Sequence, residues 1–151
     1  MPTLLVPLDT SDAAPIVLRQ ATQLAKLLGA EMVLLHVVES VSSYVPVGPA
    51  MDVVVAPIPI DESGQIAAFQ EHLEKLAASP RSEGIVVGCE VVQGLPVEEI
   101  LEQAKLRNPE YVLLGSHGHG AIFHLFSGSV VTGVLRRSSC PVIVVPARGG
   151  G

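Results

Sequence analysis

The chain has 151 residues, 48% apolar and 16% charged, the composition of one folded domain with a real core and not of a disordered segment. A net charge of −6, with only nine Lys and Arg, argues against a nucleic-acid binder, which needs a basic patch to neutralise phosphates. No stretch reaches the roughly 18 to 20 uninterrupted apolar residues of a membrane span.

The N-terminus lacks the basic region of a signal peptide. Cys89 and Cys140 fit a reducing compartment better than a disulfide framework, so a cytoplasmic location is expected. With 3% aromatics and no Trp, the core must be built from Val, Leu, Ile and Ala. That aliphatic bias suits a parallel sheet buried on both faces.

Thr3 to Leu8 reads as a buried strand ending at Asp9. Asp9-Thr-Ser-Asp12 offers side-chain oxygens to cap the helix that follows. That helix carries Ala14, Val17, Leu18, Ala21, Leu24, Ala25 and Leu28 on one face, has Pro15 in its first turn and ends at Gly29. Glu31 to Val38 is the second strand. Residues 40–60, with Pro46, Pro49, Pro57 and Pro59, read as a long loop. A loop of that length is either functional or a variable insertion without chemistry. Its apolar content predicts packing on this domain or on a partner.

From Asp61 a helical pattern places Ile66, Phe69, Leu73, Leu76 and Ala77 on one face, with Ser79-Pro80 as its expected stop. Gly84 to Val92 is the third strand. Gly94-Leu-Pro96 turns into a helix bearing Val97, Ile100, Leu101 and Ala104, with Glu98 and Glu99 near its positive end. Glu110 to Gly115 is the fourth strand, Ser129 to Arg137 the last helix, and Pro141 to Pro146 a fifth strand bracketed by prolines. Residues 1–147 are expected to form the domain and 148–151 a flexible tail.

Five strands alternating with four helices predict an open parallel α/β sheet with right-handed connections. Ligands of such sheets sit beyond the C-terminal strand ends, where the strand order reverses. If the first and fourth strands are neighbours there, Asp9 comes beside Gly115. The strand-to-helix junction reads Gly115-Ser-His-Gly-His-Gly120, followed by Gly128-Ser129, in the pattern Gly-x2-Gly-x9-Gly-Ser. Glycines allow close backbone approach, and the helix that starts there offers unpaired N–H groups to an anion, so the stretch is a candidate phosphate cradle.

These residues resemble the universal stress protein family over nearly the whole chain, from Leu-Leu-Val-Pro-Leu-Asp-Thr-Ser to Cys-Pro-Val-Ile-Val-Val-Pro. Gly115-x2-Gly118-x9-Gly128-Ser129 is similar to the pattern of its ATP-binding members. The resemblance implies a Rossmann-like sheet of order 3-2-1-4-5 with helices on both faces, and a homodimer made through the last strand, Pro141 to Pro146. It also implies a stress-response sensor or regulator that binds ATP, ADP or AMP. Pro7 and Asp9 would lie at adenine and ribose, and the Val37 backbone would contact adenine. Gly115, His117, Gly118 and His119 would lie along ribose and phosphates, and Gly128, Ser129 and Val130 would donate to the phosphates. His119 stands where many members carry Arg or Lys, so a monophosphate or diphosphate is an alternative to ATP.

Other readings stay open. Asp9 is the one placed carboxylate for a Mg²⁺ that bridges phosphates, and otherwise caps its helix. His117, His119 and His124 match no common zinc spacing. His117 or His119 as a general base would make the protein a slow ATPase or phosphotransfer enzyme. No Walker-type Lys follows the glycines, which excludes a phosphate-loop ATPase. A nucleotide-free interaction module is the remaining class. His36 reads as a core or site-edge residue, His72 as part of a polar helix face, and both cysteines as inert thiols.

Overall fold

The aliphatic runs become the strands of one central sheet. The computed structural model describes residues 1–39, 42–47, 52–57, 62–116 and 128–146. Its elements are β1 (Thr3–Pro7), α1 (Ala14–Leu28), β2 (Glu31–Glu39), β3 (Ser42–Val47), β4 (Asp52–Pro57), α2 (Glu62–Ser82), β5 (Val87–Gly94), α3 (Pro96–Arg107), β6 (Tyr111–Gly115), α4 (Gly128–Arg137) and β7 (Val142–Val145). Five strands pair in the order β5-β2-β1-β6-β7, all parallel. Numbered among themselves in chain order they run 3-2-1-4-5, as expected, with the reversal between β1 and β6.

Side-chain alternation assigns the two faces. Leu4, Val6 and Leu8 point with Met32, Leu34 and Leu113 into a core closed by Val17, Leu18 and Ala21 of α1 and by Leu73 and Ala77 of α2. Leu5 points the other way, with Val33, Leu35, Val112 and Leu114, against Ile100 and Ala104 of α3 and Val134 of α4. Leu4, Leu5, Leu34 and Leu35 are 0% exposed. Each contributes about 1.5 to 3 kcal/mol by leaving water.

The outer edge of β5 is covered by α2. Met32 N–H donates to Val86 C=O, so even-numbered β5 residues face β2 and odd-numbered ones face outward. The Arg81 guanidinium donates to the outward Val87 C=O through Nε (3.1 Å) and Nη2 (2.6 Å). Gln70 Nε2 donates to Cys89 C=O at 3.2 Å, and Glu74 holds Arg81 at 2.5 Å.

Several expectations need correction. Within residues 40–60, the described parts are not loop: β3 and β4 form an antiparallel ribbon, with Pro46 opposite Val53. Both strands of a two-stranded ribbon are edges, where a proline whose nitrogen faces away from the partner strand costs no ladder bond. Ser79-Pro80 does not stop α2, because Pro80 falls in its last turn, is fully buried, and accepts from Glu83 and Ile85 N–H. The Asp9–Asp12 stretch does not cap α1 by a side chain at its N-cap, which is Ala13 and has no such bond. Asp9 instead folds over Ser11, accepting from Ser11 N–H at 2.9 Å and from its hydroxyl. The third strand starts and ends later than Gly84 to Val92 because the α2 turn at Gly84, with φ +88°, uses the first residues. The 148–151 tail lies outside the described residues.

Candidate functional site

A cleft of about 520 Å³ lies over the C-terminal ends of β1, β2 and β6, at the reversal of strand order. This is the volume range of small-molecule sites. Pro7, Asp9, Val37, Gly115 and Val130 all line it, so residues up to 123 positions apart share one site (130 minus 7). Gly128 and Ser129 open α4 immediately before Val130. His117, Gly118 and His119 lie outside the described residues.

The local backbone explains the opening. The β1–β2 ladder ends at Pro7 opposite Leu35, while β2 continues to Glu39 beside β5. Odd-numbered β2 residues bond toward β1: Glu31 N–H donates to Pro2 C=O, and Leu35 C=O accepts from Leu8 N–H at 2.8 Å. By the same alternation the N–H and C=O of Val37 point past the end of β1. Among the described residues neither group has a backbone partner on that side. A donor and an acceptor on one backbone unit are what the edge of a purine base needs.

Leu8 C=O, the ladder's next acceptor, is taken by His36 Nδ1 at 2.8 Å. A carbonyl only accepts, so Nδ1 carries the hydrogen. The His36 ring stacks on Phe69 of α2, with centroids 4.0 Å apart. Next along the chain, Asp9 has Oδ1 engaged by Ser11, while Oδ2 has no partner among the described residues.

The walls come from all four helices: Ala13, Ala14 and Val17 of the α1 end, Gln65 and Phe69 of α2, Pro96 and Ile100 of α3, and Val130 and Val131 of α4. Pro96 occupies the first turn of α3, where a missing N–H leaves no bond unmade. The walls from α3 and α4 are clamped together by Arg137, which donates to both Glu98 oxygens at 2.5 and 2.9 Å. That hydrogen bond, and the charge of Arg137, hold the Glu98 carboxyl below the usual carboxylate range. The two helices approach closely at Gly133, where a Cβ would stand 2.9 and 3.0 Å from the γ-carbons of Val97. Among the described residues no three His, Cys, Asp or Glu side chains cluster as a metal site, and no helix is long and apolar enough to cross a membrane.

Sequence reasoning missed the walls from α2 and α3 and the link from His36 to Leu8. The available signal for the latter was a single polar residue inside an otherwise aliphatic strand.

The universal stress protein family matches residues 1–146. A universal stress protein of Methanocaldococcus jannaschii, MJ0531, is 28% identical over 142 residues, covering 94% of this chain and 80% of that protein. The solved structure of MJ0577, from the same organism, superposes with a TM-score of 0.71 at 23% identity, covering 99% of this chain and 98% of that one. A universal stress protein from Archaeoglobus fulgidus, solved in complex with dAMP, gives 0.65 at 23% identity, covering 95% and 97%. The match over residues 1–146, with the sheet order and the cleft at its reversal, means that this chain belongs to the universal stress protein family.

Proposed function

We propose that the protein is an adenine-nucleotide-binding sensor or regulator of the stress response, acting in the cytoplasm as a homodimer. The observation that carries this reading is the cleft at the β1–β6 reversal, which unites Pro7, Asp9, Val37, Gly115 and Val130. The base would lie between Pro7 and Val37, held by the Val37 backbone donor and acceptor that lack a backbone partner on the β1 side among the described residues. The ribose would lie near Asp9. Phosphates would run toward Gly118, His119 and the start of α4, where Gly128, Ser129 and Val130 would offer N–H groups at the positive end of the helix. Asp9 Oδ2 would hold a Mg²⁺ that bridges the phosphates. The dAMP complex of the Archaeoglobus fulgidus relative supports an adenine nucleotide as the ligand class.

For the dimer, β7 is the sheet edge opposite the one that α2 covers. Pairing two β7 strands would extend the sheet across a two-fold axis.

The test is to denature the purified protein and identify any released nucleotide. ATP, ADP and AMP are then titrated calorimetrically, with and without Mg²⁺, into the nucleotide-free protein and into Gly118→Val. The expected result is micromolar binding, about −8 kcal/mol, weakened in the variant. No released nucleotide together with no heat of binding would refute the proposal.

A further inference from the structure

We infer that His36 is a positioning residue that keeps the Val37 N–H open for the ligand by taking the carbonyl with which that N–H would otherwise pair. The inference rests on the nucleotide reading above and deepens it.

In a parallel ladder each inward-facing residue donates to the carbonyl one step behind its neighbour and accepts from the N–H one step ahead. Leu8 N–H donates to Leu35 C=O, which carries the ladder one residue past the end of β1. The next rung would be Val37 N–H to Leu8 C=O. That rung is absent, and Leu8 C=O instead accepts from His36 Nδ1–H at 2.8 Å. The imidazole comes from the α2 side of the sheet, where Phe69 stacks on it.

Leu8 is 6% exposed, so its carbonyl needs a partner that water supplies poorly. His36 supplies that partner from a side chain. The ladder therefore stops one rung early, with Leu8 anchored and the Val37 backbone facing the cleft. The same bond fixes the start of the segment that carries Asp9. One side chain, which itself lines the cleft, thus sets the spacing between the Asp9 and Val37 sides of the site through its bond to Leu8.

Three measurements test this on the full chain after nucleotide removal. In ¹⁵N NMR, neutral His36 should show the Nδ1–H tautomer; finding Nε2–H overturns the inference. In amide hydrogen exchange, Val37 should exchange far faster than Leu35 in the ligand-free protein and become protected when AMP is added. Equal protection of the two amides before addition overturns it.

The third measurement is AMP affinity of two variants. His36→Phe keeps a ring on Phe69 but has no donor; it should raise Kd at least tenfold, about 1.4 kcal/mol, with the Val37 amide protected before AMP is added. His36→Asn keeps a donor near the Nδ1 position and should hold Kd within about threefold of wild type, even if its Tm falls with the lost stack. Similar Kd values for the two variants overturn the inference. Should His36→Phe fail to fold, the tautomer and the wild-type exchange pattern still decide. Wild-type protein that binds no adenine nucleotide refutes the proposed function, while the tautomer and ligand-free exchange results test the backbone arrangement separately.

Discussion

Gly133→Ala sets two effects of similar size against each other. Gly133 lies inside α4, where replacing Gly by Ala gains about 0.8 to 1 kcal/mol of helix propensity. The added methyl would stand 2.9 Å from Val97 Cγ2 and 3.0 Å from Cγ1, well inside the 3.5 to 4.0 Å optimum for carbon pairs. Val is branched at Cβ, so a rotation that removes one methyl brings up another atom. Overpacking of this kind costs about 1 to 3 kcal/mol, and two simultaneous contacts argue for the upper half. The net expectation is a loss of about 1 to 2 kcal/mol, or a Tm lower by roughly 2 to 8 °C for a chain of this size. In a Val97→Ala background both methyls are gone and the nearest remaining atom, Cβ, is at an ordinary 3.5 Å. There Gly133→Ala should stabilise by about 1 kcal/mol, so the substitution changes sign. Urea and thermal unfolding of the four proteins, at one fixed protein concentration because association shifts Tm, complete the cycle. Val130 lies three residues before Gly133, and Pro96 adjoins Val97. Both line the cleft, so the single variant should also bind nucleotide more weakly. A Gly133→Ala protein at least as stable as wild type, or the same sign in both backgrounds, would refute the reasoning.

Three further outcomes are expected. Arg81→Ala with Gln70→Ala uncovers the Val87 and Cys89 carbonyls at the β5 edge, and light scattering after gel filtration should show species larger than wild type that grow with concentration; an unchanged mass across a hundredfold range of concentration sinks this idea. Burial, followed by the Glu74 charge, pushes the Cys89 thiol up to about 11, so its alkylation should be slow at pH 8 and accelerate as pH approaches 11. Because the unfolded thiol ionises near 9, this group's contribution favours the fold below pH 9 and is lost between about pH 9 and 11; rapid labelling of folded Cys89 at pH 8 would contradict the assignment. Glu98 is depressed by its hydrogen bond to Arg137 and by that charge, so its contribution is present above the ordinary carboxylate range and is lost as pH falls from there through the lower folded value. Glu98→Gln should therefore be less stable than wild type at pH 7, by a margin that narrows as pH is lowered below the ordinary carboxylate range, as read by urea midpoints.

Much of the fold was legible because local rules and the global arrangement agree. Runs such as Leu4-Leu5-Val6 and Val112-Leu113-Leu114 are apolar on both alternating faces, which only a strand covered by helices on both sides can use. Gly29 at φ +63° and Pro96 in a first helical turn ended and began helices as their chemistry predicts. The Gly115 and Gly128-Ser129 positions marked the right strand-to-helix junction, and the neighbourhood of Asp9 and Gly115 followed from strand order. Where propensity and packing disagreed, packing prevailed: buried Pro80 lies within α2, and a valine-rich segment with prolines pairs as a ribbon.

Residue types and their spacing were enough to specify the layers, the sheet class and the end of the sheet at which the cleft opens. They could not specify how that place is kept open. β2 outruns β1, and His36 bonds to Leu8, 28 residues away, while stacking on a ring from α2. Such bonds depend on the relative lengths and registers of packed strands, quantities that arise only when distant segments meet. Periodicity could place His36 on a face of β2. Only the assembled sheet determined that its hydrogen goes to Leu8 and that the Val37 amide is left for the cleft.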